Sequence, residues 1–179
     1  GSYSLSIDET TPFLSETCDT AETITLPWSG TVSTVGATDD YNESCPFPII
    51  GAPDVVRRFV APETGSLSLD LCGSDFDTKV YVYEGVCPLA GSQVGVGGSG
   101  TALTCNDDAC GVSGFRSRVF LFSVTAGEEY FVVFDGYGAT DFGSASGSIE
   151  YAPPPEVGES CELAIPISTL PFTTTGTTA

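Results

Sequence analysis

Cys72-Gly-Ser-Asp-Phe-Asp-Thr78-Lys-Val-Tyr-Val-Tyr-Glu-Gly85-Val-Cys87 is the stretch whose pattern decides the class of fold. Its centre, Lys79-Val80-Tyr81-Val82-Tyr83, alternates with a period of two and is rich in β-branched and aromatic residues, which predicts a strand. An Asp/Ser/Gly turn precedes it and Glu84-Gly85 follows it. A Gly/Ser-rich connection then leads to Cys105-Asn-Asp-Asp-Ala-Cys110-Gly111. Strand, cysteines and paired acids are therefore concentrated in one part of the chain.

Outward from this stretch the pattern persists. Strands are predicted at Ile24–Leu26, Thr31–Thr34, Val55–Ala61, Ser66–Leu71, Thr78–Tyr83, Ala102–Thr104, Ser117–Val124, Tyr130–Phe134 and Ser144–Tyr151. Turns at Glu63-Thr-Gly65, Ala126-Gly127-Glu128 and Asp135-Gly136 separate them. No segment repeats apolar residues at helical spacing over three turns, so the chain reads as all-β, an antiparallel sandwich of jelly-roll type. Val119-Phe-Leu-Phe-Ser-Val124 and Tyr130-Phe-Val-Val-Phe134 are nearly continuous apolar runs and are expected at the centres of their sheets.

The 179 residues carry 24 acidic and 5 basic side chains and no histidine, a formal charge of −19. Such a charge opposes binding to nucleic acid or to an anionic membrane surface, and it repels itself unless cations or glycans relieve it. No apolar run is long enough for a membrane-spanning helix. Without histidine there is no Ser-His-Asp or Cys-His pair, and no catalysis is expected. Arg57, Arg58, Arg116 and Arg118 lie on predicted strands and are expected to pair with acids across them.

Seven cysteines without a CxxC spacing read as a disulfide framework, which implies an oxidising, extracellular compartment. Spacing does not dictate connectivity. The pairing adopted is Cys18–Cys45, Cys87–Cys105 and Cys72–Cys110, with Cys105–Cys110 plus Cys72–Cys87 as the alternative. The seventh, Cys161, is explained by a repeat. Residues 1–7 match residues 143–149, Asp8-Glu-Thr-Thr-Pro12 matches Glu150-Tyr-Ala-Pro-Pro-Pro155, and Ser15-Glu-Thr-Cys18 matches Gly158-Glu-Ser-Cys161. Leu26-Pro27-Trp28 then matches Leu170-Pro171-Phe172, giving a period of 142 residues. Chance similarity behind an unrelated Gly1-Ser2 is the alternative, and it leaves the downstream matches without a cause. The organisation that follows is 1–11 as the last strand of a preceding module, 12–152 as one complete module, and 153–179 as a linker and the first strands of the next. Gly1-Ser-Tyr-Ser4 is neither an initiator methionine nor a secretory leader, in keeping with a window on a longer secreted protein. Docking of each end on a neighbouring module, by covalent continuation or by strand donation, would give a head-to-tail filament of copies.

The chemistry lies in the acids. Calcium takes six to eight oxygens from carboxylates, amides and backbone, and loops supply them best. Asp75 and Asp77 in one loop and Asn106, Asp107 and Asp108 in another are the candidate ligands, brought to one end of the sandwich if Cys72 and Cys110 are bonded. Asx turns that need no metal are the competing explanation. Asn42-Glu43-Ser44 is an N-glycosylation sequon beside Cys45, and Thr173–Thr178 is a candidate for O-linked sugar. Trp28, Tyr41, Tyr81, Tyr83 and Tyr137 are candidates for a sugar-stacking face.

Read in order, Asp54-Val-Val-x-x-Phe59, Ser74-Asp-Phe-Asp-Thr78, Tyr83-x-Gly-x-Cys87, Cys105-Asn-Asp-Asp108, Ser117-x-Val119 and Ala126-Gly-x-x-Tyr130 resemble bacterial pre-peptidase C-terminal domains and related secreted modules. The resemblance implies a small jelly-roll sandwich without catalysis of its own, tandemly arrayed or appended to a secreted enzyme. It also implies that binding of calcium or of a polymeric substrate is within the family's range. Two functions are therefore expected: a structural module of an extracellular tandem array, or an accessory adhesion or carbohydrate-targeting domain of a secreted enzyme.

Overall fold

A computed structural model describes residues 15–45, 51–88, 93–94, 102–111, 114–152 and 167–168. Eleven strands run through the described residues: β1 (Glu22–Thr23), β2 (Trp28–Ser33), β3 (Asn42–Glu43), β4 (Val55–Val60), β5 (Gly65–Asp70), β6 (Thr78–Glu84), β7 (Gln93–Val94), β8 (Thr104–Asn106), β9 (Arg118–Val124), β10 (Glu129–Gly136) and β11 (Ser144–Ala152). They form a five-stranded sheet in the order β1-β4-β10-β6-β8, a four-stranded sheet in the order β2-β11-β5-β9, and a small parallel pair, β3-β7. Apart from β1, parallel to β4, every pairing in the two large sheets is antiparallel.

Set β1, β3 and β7 aside and count the remaining eight strands along the chain. One sheet then reads first-eighth-third-sixth and the other second-seventh-fourth-fifth, the order of an eight-stranded jelly roll. The core between the sheets is built by alternation: Val80 and Val82 of β6, Tyr130, Val132 and Phe134 of β10, and Leu67 and Leu69 of β5 all point into it and are buried. Trp28 lies at its margin, edge-on to Phe134 at 5.9 Å between ring centroids.

The opposite face of the five-stranded sheet is buried too. Tyr81, Tyr83, Phe131, Val133 and Val56 point outward from it and pack under Tyr41 and Ala21. Residues between the strands therefore form a third layer, and two disulfides fasten it. Cys18 pairs with Cys87 and Cys45 with Cys105, while Cys72 pairs with Cys110.

The expected Cys72–Cys110 bridge is thus present, and the expected Cys18–Cys45 and Cys87–Cys105 bridges are not. Proximity in sequence suggested joining Cys18 to Cys45, but both belong to the covering layer and each is tied instead to the sheet beneath or its margin. Cys105 sits on β8 opposite Tyr81, and Cys87 follows the end of β6. The Cys18 segment is held over the same face by its backbone N–H, which donates to the Tyr41 hydroxyl at 3.0 Å. Cys161 lies outside the described residues.

Other expectations shift as well. The first strand falls at Glu22–Thr23 rather than Ile24–Leu26, the Ala102–Thr104 strand moves to Thr104–Asn106, and β3 and β7 were not expected. β10 is central as anticipated, but β9 is an edge strand. Its register against β5 slips between Leu67 and Leu69, so Phe122 faces Leu67 and Val119 faces Leu69 with two residues between them. That bulge turns Phe120 and Leu121 both outward, where they are exposed. An apolar run produced by a bulge is indistinguishable in sequence from one buried on both faces. Arginine pairing across strands is present: Arg57 with Glu22 at 3.3 Å, Arg58 with Glu129 at 3.6 Å, and Arg118 with Asp70. Arg116 instead donates from Nε to the Ser74 carbonyl at 2.6 Å.

Peptide mapping without reduction is expected to return Cys18–Cys87 and Cys45–Cys105 linked peptides. Replacing Cys18 and Cys87 together by serine should cost about 2–4 kcal/mol of stability, because the loop layer loses an anchor that closes a long loop. An unchanged melting temperature would show that the covering layer holds without it.

Candidate functional site

The Cys72–Cys110 bridge, with its Cα atoms 5.4 Å apart, joins the turn before β6 to the loop after β8. It brings Asp77, Asp107 and Asp108 together, one carboxylate oxygen of each lying within 4.8 Å of the others. Asp107 is 3% exposed. Asp77 Oδ1 and Asp107 Oδ1 are buried and accept no hydrogen bond. Burial pushes the Asp77 carboxyl up to about 6, with Asp107, Asp108 and Asp141 adding to the rise and Arg116 opposing it. Burial and then Asp108 raise Asp107 to about 6, against the pull of Lys79.

The other two candidate ligands are held elsewhere. Asp75 Oδ1 accepts the Ser144 N–H at 2.7 Å, fastening the turn to the start of β11. A Cβ at Gly143 would run into that same oxygen, so any side chain there would have to push the Asp75 carboxylate off the Ser144 N–H. Asn106 Oδ1 accepts the Arg118 N–H at 2.9 Å and continues the link from β8 to β9. Both are the local side-chain-to-backbone bonds typical of Asx residues at strand ends. Three of five predicted ligands therefore converge, and two serve the backbone. Asp70, Cys72 and Cys110 form a second close group, but its sulfurs are joined in the disulfide and Asp70 holds Arg118.

Three carboxylates with two unpartnered buried oxygens and no nitrogen or thiolate donor form a hard, anionic, oxygen-only cluster. That chemistry suits calcium or a similar divalent cation, with backbone carbonyls and water completing the shell.

The remaining predicted residues are placed as follows. Asn42 is on β3, half-buried, and its Nδ2 donates to Asp39 Oδ1 at 2.7 Å; the sequon is not in an open loop. Tyr41, Tyr81 and Tyr83 are buried, and Trp28 and Tyr137 are half-buried, so these five rings make no sugar-stacking face. Residues 173–178 lie outside the described part.

Sequence reasoning missed a second polar group, on the covered face of the five-stranded sheet. Lys79, Asp135 and Asp54 are all fully buried there. The signal was present in the composition: Lys79 is the only lysine of the chain and stands inside an apolar strand. Tyr83 donates to Glu43 Oε1 at 2.9 Å beside this group, and Lys79 Nζ donates to the Glu43 carbonyl at 2.6 Å.

Compared with known proteins, the chain matches no family model, no curated protein and no solved structure.

The acid cluster makes stability depend on pH in a defined direction. Asp77 and Asp107 bind their protons more tightly in the folded chain than in the unfolded one, whose carboxyls titrate near the ordinary aspartate value. The folded state is therefore favoured by protonation, and stability falls as pH rises from about 4 through about 6. With a chelator present, the melting temperature should drop by a few degrees across that window, and Asp107→Asn should flatten the slope. A melting temperature that climbs over the same range would contradict the electrostatics of the cluster.

Proposed function

We propose that this chain is a non-catalytic structural module of an extracellular tandem-repeat protein that forms filaments or coats a cell surface. One observation carries the reading. β11 is an inner strand, paired to β2 on one side and β5 on the other, and it supplies Ala145 and Ile149 to the core. Residues 1–7 repeat the first residues of that strand, yet its slot in the described sandwich is already filled. A second copy of that sequence pattern is accounted for by a second sandwich, and because the slot is filled, covalent continuation suits the repeat better than donation of a strand between separate copies. Short proline-bearing links such as Ala152-Pro-Pro-Pro155 would keep successive modules semi-rigid. Three disulfides among the described residues agree with an oxidising compartment.

Within this reading Asp77, Asp107 and Asp108 hold calcium at one end of the module, supported by the two buried oxygens that lack partners. Glycans on Asn42 or on the threonines of 173–178 would further shield such a thread.

Proteins carrying one, two and three copies of the 142-residue unit, joined in phase, test the array. Small-angle scattering should show a maximum dimension that grows nearly in proportion to copy number. Collapse into compact particles, or an enzyme domain encoded directly upstream in place of another module, would overturn it. Calcium added to chelated protein should raise the melting temperature, and Asp107→Asn should weaken calcium binding about tenfold, ~1.4 kcal/mol.

A second reading, an accessory adhesion or carbohydrate-targeting domain of a secreted enzyme, is favoured by the edge of the four-stranded sheet. Phe120 and Leu121 are 62% and 64% exposed, and the Arg118 guanidinium lies 5.5 Å over the Phe120 ring. Exposed aromatic area of this kind suits docking on a flat polymer surface. Retention on an insoluble polysaccharide that is lost with Phe120→Ala would establish it, and free passage of the intact protein would remove it.

A further inference from the structure

The covered face of the five-stranded sheet carries charged side chains in a single row. Lys79 on β6 and Asp135 on β10 are direct partners in the antiparallel register, so their Cβ atoms lie about 5 Å apart on one face. Phe134 faces Val55, and the next pair in that register sets Asp54 opposite Asp135. Asn106 faces Val80, and the next pair sets Asp107 beside Lys79. The row therefore runs Asp54, Asp135, Lys79, Asp107, and all four are buried.

We propose that Lys79 and Asp135 condense to an intramolecular amide, with Lys79 Nζ bonded to Asp135 Cγ, that cross-links β6 to β10.

The surroundings fit a condensation site. Lys79 Nζ is turned toward Tyr81, 5.6 Å from its ring centroid, and the Tyr81 hydroxyl donates to Asp135 Oδ2. The Gly136 N–H donates to Asp135 Oδ1 at 2.7 Å. Both oxygens of the electrophile thus face fixed donors, which stabilise the negative charge that builds when its carbon is attacked. Asp54 accepts the Asp40 and Tyr41 N–H groups on Oδ2, at 2.8 and 2.9 Å, while its Oδ1 is buried without a partner. It is the group placed to carry a proton. Burial and the neighbouring Asp135 push Asp54 up to about 9, so Asp54 holds a proton near neutrality; burial pushes Asp135 up to about 8 and lowers Lys79, which brings the two close enough for the lysine proton to pass to the carboxylate.

The step balances within the row. A proton passes from the Lys79 ammonium to the Asp135 carboxylate, leaving amine and carboxylic acid. The Nζ lone pair attacks Cγ and the carbonyl electrons move to Oδ1. Asp54 gives its proton to departing Oδ2 and recovers one from Nζ, the Cγ–Oδ2 bond breaks with its electron pair on oxygen, and the carbonyl re-forms. One C–N bond is made, one C–O bond is lost, one water leaves, and no oxidant or cofactor is needed. Two features drive the reaction: the strand ladder holds the reactants together, and a neutral amide replaces an ion pair whose burial is costly.

Cleavage at arginine tests the proposal on the whole protein, because Lys79 lies in fragment 59–116 and Asp135 in fragment 119–179. After full reduction of the disulfides the two fragments are expected to remain joined, one water lighter than their sum, with fragmentation placing the link at Lys79 and Asp135. Separate fragments from the unaltered protein overturn the proposal, as does a water loss confined to one fragment or a link placed at Asp107. Lys79→Met, which adds no arginine, should separate the fragments, and persistence of the joined species in that variant would also overturn it. Asp54→Ala should slow the joining about tenfold or more; an unchanged rate removes Asp54 as the proton carrier.

Discussion

The antiparallel pairing of β6 with β10 is the interaction on which the other parts depend. It runs from Thr78 opposite Gly136 to Glu84 opposite Tyr130, and both strands are buried on both faces. One face supplies the sandwich core. The other carries Tyr81, Tyr83, Phe131 and Val133, a surface that water would not tolerate. A jelly roll with one such face needs a cover. Here the cover is loop apart from the two-residue β3–β7 pair, and so short a ladder leaves most of its backbone without one to hold it in place. Cys18–Cys87 and Cys45–Cys105 supply what the missing ladder would, and so the disulfides follow from the apolar outer face rather than from the small size of the chain.

The same pairing explains how so acidic a chain buries charge. The only lysine stands on β6 between Asp135 and Asp107, and burial lowers its affinity for a proton while those acids and Glu43 oppose the shift. Its ammonium is thus matched to the row rather than to the surface. Arg57, Arg58 and Arg118 pair with acids at the margins of the sheets. Among the described residues, the acids outside this row are exposed or half-buried, and at the Cys72–Cys110 end the buried oxygens of Asp77 and Asp107 lack donors. The two ends of the row are therefore unlike: Asp54 is held by backbone N–H groups from residues 40 and 41, and Asp107 faces other carboxylates.

Alternation made the large strands legible, because β4, β5, β6, β10 and β11 each pack one or both faces in the period of two that residue type reveals. β3 and β7 were not legible: two residues paired across a long loop leave no periodic signal. β9 was misplaced because a bulge reverses the outward face within one apolar run. In the acid cluster, residue type singled out the two loops that meet, but not which of their oxygens converge. Whether Asp75 or Asn106 turns to a cation or to a backbone N–H depends on where β11 and β9 arrive, and those strands are distant in sequence. The row through Lys79 was hidden for a related reason. A lone lysine in a strand reads as a solvent-facing residue until the covering layer is known.

The inner position of β11 carries a consequence for folding. The four-stranded sheet cannot close until residues 144–152 arrive between β2 and β5, so its core depends on contacts distant in sequence, and such topologies form slowly. In a tandem chain the vacant slot of one module would face a strand of nearly the same pattern from its neighbour, the setting in which repeats exchange elements. Two features oppose that exchange. Asp75 clasps the Ser144 N–H only where Gly143 leaves room for its carboxylate, and Thr34 exchanges bonds with Gly143 through its backbone N–H and its hydroxyl. Both lie at the entrance of β11, so the correct strand is fixed in register from its first residue, before its core side chains are committed.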